Sequence, residues 1–346
     1  MPTTLKDVAR EAGVSIAAVS KVLHGRGQGI RVSESKAEHI RQVATELSYY
    51  PNALARSLQS QTSHTVGLIF EQFGEISAGP LYYVYLLDGV ASALFPRHYR
   101  LTILPEIENG DALATLGDRR LDGAIWCKLD RDGEVRSILQ RSPIPLVALN
   151  APPPLDTGDT VYVSCDNEGG AKLAVDHLVE LGHRRILFVK ELEEEATPDA
   201  VARYEGFRQA LRSQELPVYE NDFETWSPNC EEFGAWRQSK APHTAIFAWN
   251  ERMAGEILKR AAEYGASIPG ELSVVGFDST QYCETTTPRL TAVRQPIKEM
   301  AKHATELLLA MIEGNRPDST TYTFPCTLDV RDTTAIPISK TRQLST

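Results

Sequence analysis

Ser15, Ser20, Lys21 and His24 are spaced along a stretch that begins at a Gly13-Val14-Ser15 corner. Hydroxyls and an imidazole suit phosphate oxygens, and a lysine ammonium reaches either a phosphate or the O6/N7 edge of guanine. Capping and plain solvation account for the same groups, so their setting decides. That chemistry is binding. No G-x-S-x-G, Walker loop, zincin helix or catalytic-cysteine setting occurs in the chain. Cys127, Cys165, Cys230, Cys283 and Cys326 are odd in number, far apart and without a C-x-x-C pair, which reads as free thiols of a cytosolic protein. The eight histidines show no ligand spacing, so neither a metal nor a cofactor is expected. Gly25-Arg26-Gly27-Gln28-Gly29 lacks G-x-G-x-x-G spacing and a preceding strand, and reads as a flexible turn.

Short amphipathic helices must position these groups. Thr4 and Asp7 form an S/T-x-x-D/E capping pattern that starts a helix near Leu5. Leu5, Val8, Ala9 and Ala12 then fall on one apolar stripe. Gly13 accepts the left-handed conformation of a sharp stop, and Ser15 caps the next helix, from about Ile16 to His24. Val19, Val22 and Leu23 turn back toward the first helix. A third helix has Ser33 as its cap and Ile40, Val43, Ala44 and Leu47 on its inner face. Two such helices meeting at a tight corner are the pattern of a DNA-reading helix-turn-helix, with a generic helical bundle as the alternative. Residues 1–64 hold eight Lys and Arg against five Asp and Glu, a net +3, so with the whole chain at −10 the remainder carries −13. A mildly basic head on an acidic body confines attraction for DNA to the head.

Pro51 ends the head, Asn52 can cap a short helical stretch from Ala53 to Leu58, and Gln59–Ser63 is polar and linker-like. From Thr65 the texture changes. Buried-strand runs at 66–70, 101–104, 123–126, 146–149, 185–189, 245–248 and 272–276 alternate with helical stretches such as 170–181, 204–212 and 253–264. This alternation means parallel sheets covered by helices, and about nine strands call for two lobes. The expected architecture is α/β: a three-helix head over 1–51, a hinge helix and linker over 52–64, and a two-lobed body with parallel sheets over 65–340. Lobe 1 takes about 65–162 plus 293–325, and lobe 2 about 163–292 plus 326–340. No apolar run is long enough to span a bilayer, and Met1-Pro2-Thr3-Thr4 has no signal-peptide core, so a cytoplasmic location without a membrane partner is expected.

Taken in order, these motifs resemble the LacI/GalR family of bacterial transcriptional regulators over nearly the whole chain. Thr4 to Leu23 follows the family pattern T-x-x-D-V-A-x-x-A-G-V-S-x-x-x-V-S-R/K-V-L, and Tyr50 to Leu58 is similar to its hinge helix. The segments 163–167, 177–183, 203–207, 273–278 and 330–335 resemble family signatures in the body. The resemblance implies a periplasmic-binding-protein-like body used as a sensor. It places Ile16, Ala17 and Lys21 at base edges. Ile16 and Ala17 donate no hydrogen bond and can only touch thymine methyls or exclude larger neighbours, although Ile16, three residues before Val19, equally suits a core. Ser15, Ser20, His24 and Asn52 are candidates for phosphate, and Thr4 and Lys6 join the DNA-facing set. Leu58 matches the family's minor-groove wedge, with Ala55 and Arg56 beside it; packing on the body is its alternative. The nine residues from Asn52 to Ser60 are too few for a stable isolated helix, so the hinge is expected to be helical only when two protomers meet on DNA.

For the small molecule, the resemblance points to Arg203, Asn250 and Asp278, a fork, an amide and a carboxylate suited to hydroxyls. Trp226 resembles a stacking aromatic, Trp249 is a second platform, Tyr82 and Tyr83 fall where the family has an aromatic pair, and Asp166 closes the pocket or holds a loop. Core packing is the alternative for the aromatics and a structural ion pair for Arg203 and Asp278. Two departures bear on the ligand: Pro80 replaces the family's Asn before the aromatic pair, and its Asn-Asp pair reads Asn250-Glu251. The tail after Ala335 lacks heptads, which favours a homodimer over a coiled-coil tetramer. The expected function is a repressor of double-stranded operator DNA controlled by a small molecule, a sugar before a purine. A solute-binding protein and an enzyme on an α/β scaffold are the competing classes, opposed by the head and by the missing catalytic motifs.

Overall fold

The computed structural model describes residues 3–25, 30–50, 62–70, 81–104, 112–127, 140–151, 153, 158–192, 197–239 and 241–338. The chain forms two compact units, Met1–Ser63 and His64–Thr346. In the first, α1 (Leu5–Glu11), α2 (Ile16–His24) and α3 (Glu34–Glu46) share one core of Val8, Ala9, Ala12, Val19, Ile40, Val43 and Ala44. Thr4 donates its hydroxyl to Asp7 Oδ2 at 2.6 Å and accepts the Asp7 amide at 3.3 Å, a reciprocal cap. Those bonds to Thr4 hold the Asp7 carboxyl below its ordinary pKa. Gly13 turns the corner at φ +64°, and Ser15 Oγ accepts the Ala18 amide at 3.2 Å. Ser33 stands at the start of α3 in extended conformation, but its hydroxyl makes no capping bond. The hinge and the residues expected on it (Asn52, Ala55, Arg56 and Leu58) lie outside the described residues, as does Pro80.

The second unit contains two six-stranded sheets. The first runs from β1 (Thr65–Phe70) through β2 (Arg100–Leu104), β3 (Gly123–Cys127), β4 (Leu146–Leu149) and β5 (Val161–Cys165). Helices α4 (Leu81–Leu94) and α5 (Ala112–Gly117) fall between these strands in the chain, and α6 (Asn167–Glu180) leaves the last of them. The second sheet is built on β6 (Ile186–Glu191), β7 (Phe223–Trp226), β8 (Ala245–Ala248), β9 (Ser273–Asp278) and β10 (Thr291–Arg294). Between them come α7 (Pro198–Ser213), α8 (Phe233–Gln238), α9 (Glu251–Glu263) and α10 (Tyr282–Thr285). The chain then returns: α11 (Ile297–Ile312) packs against α4 and the first sheet, and β11 (Thr321–Phe324) pairs in parallel with β5. Finally β12 (Thr327–Asp329) pairs antiparallel with β10. The orders are β11-β5-β4-β3-β1-β2 and β12-β10-β9-β8-β6-β7, parallel except for that last pair.

Two expected lobe limits need correction. A boundary at 162/163 cuts β5, all of which pairs in the first sheet, and one at 292/293 cuts β10, all of which pairs in the second. A strand that starts a ladder completes it, because an abandoned backbone leaves amides unpaired. The crossings between sheets therefore follow Cys165, Arg294 and Phe324.

Candidate functional site

On the head, Ser15, Ile16 and Ala17 are exposed at the start of α2, while Ser20, Lys21 and His24 are half-buried along it. Ile16 is 46% exposed, which removes it from the core. The His24 ring meets Tyr49 edge-on, with Nε2 and the Tyr49 hydroxyl 3.4 Å apart, so it braces the end of α2. Thr4 is engaged in its cap and Lys6 is exposed. The N-terminal turn of α2 thus presents a small surface with two apolar side chains and a hydroxyl, and Lys21 stands one turn further on.

In the body the site grows around Arg203. Carried on the inner face of α7, it is only 2% exposed. Its Nε donates to Asn167 Oδ1 at 2.9 Å and its Nη1 to the Trp249 carbonyl at 2.6 Å. Nη2 faces Asp199 Oδ2 at 3.7 Å and Asp278 Oδ1 at 3.6 Å, and the fork lies 3.7 Å over the Phe277 ring. Asp278 ends β9 with φ +91°, followed by Ser279 at +49°, a region that residues with side chains rarely adopt. Gln295, the first residue beyond β10, donates Nε2 to Asp278 Oδ1 at 2.6 Å. Burial raises the Asp278 pKa, against the pull of the Arg203 charge.

The other expected residues divide. Asn250 caps α9 by accepting the Met253 amide at 2.8 Å, and Asp166, exposed, caps α6 by accepting the Gly169 amide at 2.8 Å. Trp226 is 1% exposed; its indole donates to Glu224 at 2.5 Å and packs edge-on against Phe233 and Trp236, which makes it core of the second lobe. Trp249, just past β8, is also buried, but its Nε1 has no partner among the described residues. Tyr82 lies edge-on against Tyr83, and Tyr83 against Phe70 at the end of β1. The buried Tyr82 hydroxyl is likewise unpartnered, and its pKa is raised well above the ordinary value, first by burial and then by Cys127, Asp278, Tyr83 and Cys165. That list brings groups from the strand ends of both sheets into one neighbourhood.

Glu251, the departure noted in the sequence, is engaged by Thr280 and Cys283. Its Oε2 accepts the Thr280 amide at 2.7 Å and the Cys283 thiol at 3.2 Å, and its Oε1 takes the Thr280 hydroxyl. Burial, then the nearby Asp278, raises its pKa to about 7. Sequence reasoning missed Asn167, Asp199 and Gln295. Nothing in their spacing marks them; only the fold brings them beside Arg203 and Asp278.

The buried polar atoms left without partners among the described residues include Tyr82 Oη, Trp126 Nε1, Asn150 Oδ1, Asp199 Oδ1, Trp249 Nε1 and Gln295 Oε1. Two more, Trp236 Nε1 on α8 and His243 Nδ1 ahead of β8, lie elsewhere, but these six belong to the last residues of a parallel strand, the loop leaving it, or the first turn of a following helix. Ligands of open α/β sheets bind there, and unpaired buried polar groups are costly unless something meets them. Among the described residues no group of three or more His, Cys, Asp or Glu is placed to hold a metal, and no helix is long and apolar enough to cross a membrane.

Residues 4–52 match the family model described as bacterial regulatory proteins, lacI family, and residues 175–334 match that of a periplasmic binding protein-like domain. The chain is 32% identical over 321 residues to the HTH-type transcriptional repressor PurR of Vibrio atlanticus (strain LGP32), covering 90% of this chain and 92% of that protein. The structure of the transcriptional regulator CelR in complex with cellobiose aligns at a TM-score of 0.70 and 26% identity, over 96% of this chain and 99% of that one. The lac repressor dimer bound to operator and the anti-inducer ONPF aligns at 0.83 and 23% identity, over 97% and 100%, a likeness of fold.

Proposed function

The chain belongs to the LacI family of bacterial transcriptional regulators, and on that premise we propose that it is a homodimeric repressor whose grip on operator DNA is set by a sugar held between the two lobes of its body. The observation that carries this reading is the Arg203–Asp278 pair with Gln295, Asp199, Trp249 and Tyr82, each of these four with a buried polar atom that has no partner among the described residues, in the same chain as an exposed DNA-reading helix start. Unmet acceptors and donors on both sheets call for a ligand with several hydroxyls, and a ligand touching both sheets changes how they close. The CelR–cellobiose complex supports the sugar. The identity with PurR gives a second reading, a purine-type effector.

At the DNA, Ile16 and Ala17 meet thymine methyls, Lys21 is the one hydrogen-bonding reader, and Ser15 and Ser20 hold phosphates. Leu58 enters the minor groove. Selection of duplexes from a random pool by the purified protein tests this directly. A two-fold symmetric site with thymine at the positions facing Ile16 and Ala17 supports it, and exchange of Lys21→Ala relaxes one position at a cost of about 1–3 kcal/mol. Retention of no duplex preferentially, or a selected site indifferent to Lys21→Ala and Leu58→Ala alike, refutes it.

A further inference from the structure

The five cysteines are far apart in the sequence, yet the fold brings two of them together. Cys165 ends β5 and stands beside Phe324 of β11 in the parallel ladder; Cys326 follows two residues later. Cys165 Sγ donates to Asn167 Oδ1 at 3.5 Å, and Cys326 Sγ donates to the Asp166 carbonyl at 3.5 Å. Both sulfurs therefore lie against the same two residues at the start of α6, and the two thiols are in direct side-chain contact. The other three are placed apart. Cys127 ends β3, two strands away from β5, Cys230 Sγ points at the Met253 carbonyl, and Cys283 bonds Glu251.

The two partners differ in access. Cys326 is half-buried, whereas Cys165 is 3% exposed. Contact with Cys326, then burial, holds the Cys165 thiol well above its ordinary pKa, so it stays protonated and the first encounter with an oxidant falls to Cys326. Their place in the chain gives the pair its leverage. Cys165 precedes the first crossing between the sheets, and Cys326 lies on the third. A covalent bond between them joins two of the three segments that must bend when the lobes move.

We infer that Cys165 and Cys326 form a peroxide-sensitive dithiol, which closes to a disulfide that ties the first crossing to the third. The Cys326 sulfur takes one oxygen of the peroxide O–O bond as a sulfenic acid, and its thiol proton leaves with the other oxygen as water or an alcohol. The Cys165 sulfur then attacks the Cys326 sulfur. The S–O bond breaks, the hydroxyl departs with the Cys165 proton as water, and the S–S bond forms. The two thiols have given two electrons to the peroxide, and an external dithiol returns them. Oxidation also takes from Asn167 Oδ1 the Cys165 proton that it accepts, leaving that oxygen to Arg203 Nε.

The test treats the full-length protein with hydrogen peroxide, denatures it and counts free thiols with a chromogenic disulfide. The count should fall by two of the five, digestion should yield one linked pair of peptides holding Cys165 and Cys326, and dithiothreitol should restore all five. Cys326→Ser should lose no thiol pair, and Cys165→Ser should stop at a sulfenic acid on Cys326 that dimedone traps. The peptide map of the parent decides alone where a variant does not fold. An unchanged count, a bond mapped to other cysteines or between protomers, or the same loss of two thiols in Cys326→Ser overturns the inference. The tie between crossings is read separately, and this part rests on the proposed function. The fold-change in operator Kd caused by a sugar that binds should shrink at least about twofold in the oxidised protein and recover with dithiothreitol. A mapped bond with that fold-change intact refutes the tie. If the reduced protein has no sugar response at all, the proposed function fails, and the mapped bond still supports the dithiol.

Discussion

Arg203 and Glu251 show how much a single buried charge depends on its neighbours. Removing the Arg203 fork by Arg203→Ala leaves Asp199 and Asp278 facing each other at low exposure, and about 3–5 kcal/mol of stability should go with it, read from the urea midpoint at constant slope. Glu251 carries the opposite sign of effect. Its folded pKa of about 7 lies above the carboxylate's ordinary 4.5, so between those values the folded state holds a proton that the unfolded state has lost. Stability contributed by the protonated form is full below pH 4.5 and declines as pH rises to about 7. Glu251→Gln, neutral at every pH, should flatten that decline and gain roughly 1–3 kcal/mol at pH 8 over pH 4.5, relative to the parent. An unchanged pH profile would show that Glu251 ionises freely in the fold. Arg203 and Asp278 were legible in the sequence because their motifs resemble those of a known family. Their partners were not: Asn167 lies 36 residues from Arg203 and Gln295 lies 17 from Asp278, distances no local pattern connects. Trp226 shows the reverse, since its resemblance to a stacking aromatic carried no information about the Glu224 and Trp236 contacts that enclose it.

Among the elements, the helices of the head follow from local chemistry alone. The Thr4 cap, the Gly13 corner and the Ser15 cap are each set within four residues of sequence, and all three stand in the structure. Thr4→Ala should lower head stability by about 1 kcal/mol, visible as earlier loss of helical signal on heating a Met1–Ser63 fragment, which forms a compact unit with its own core. In the body, β1, β3, β4, β6, β8 and β9 read clearly because both faces are buried and the runs are continuously apolar. Strands β7, β10, β11 and β12 did not, being three or four residues long, most of them only half-buried. The return of α11 to the first sheet is a tertiary choice, fixed by a close approach at Gly89. A Cβ there would sit 2.4 Å from the Lys298 carbonyl, so Gly89→Ala should force α4 and α11 apart and cost about 1–3 kcal/mol. A urea midpoint equal to the parent's would mean that the helix pair yields without cost.

For the whole molecule, the separation of charge and the separation of sites have one purpose. A head of net +3 and a remainder of −13 leave only the N-terminal unit attractive to DNA, so operator affinity should fall steeply with salt. In the proposed function the ligand acts elsewhere, where Asn167, Gln295 and Cys326 stand at the three crossings between sheets and Arg203 and Asp278 bond to the first two. Any shift of the lobes driven by ligand is therefore felt where the chain passes between them. Linkage makes the consequence measurable, since a coupling of 1–3 kcal/mol changes affinity by about 5–150-fold and does so reciprocally. The most direct measurement is the Kd for the selected operator at fixed salt, without ligand and with a sugar that binds the protein at saturation. The account expects the two values to differ by at least about fivefold, and Tyr82→Phe to need more sugar for half of that change. Equal operator affinity with the cleft empty and the cleft filled would contradict it.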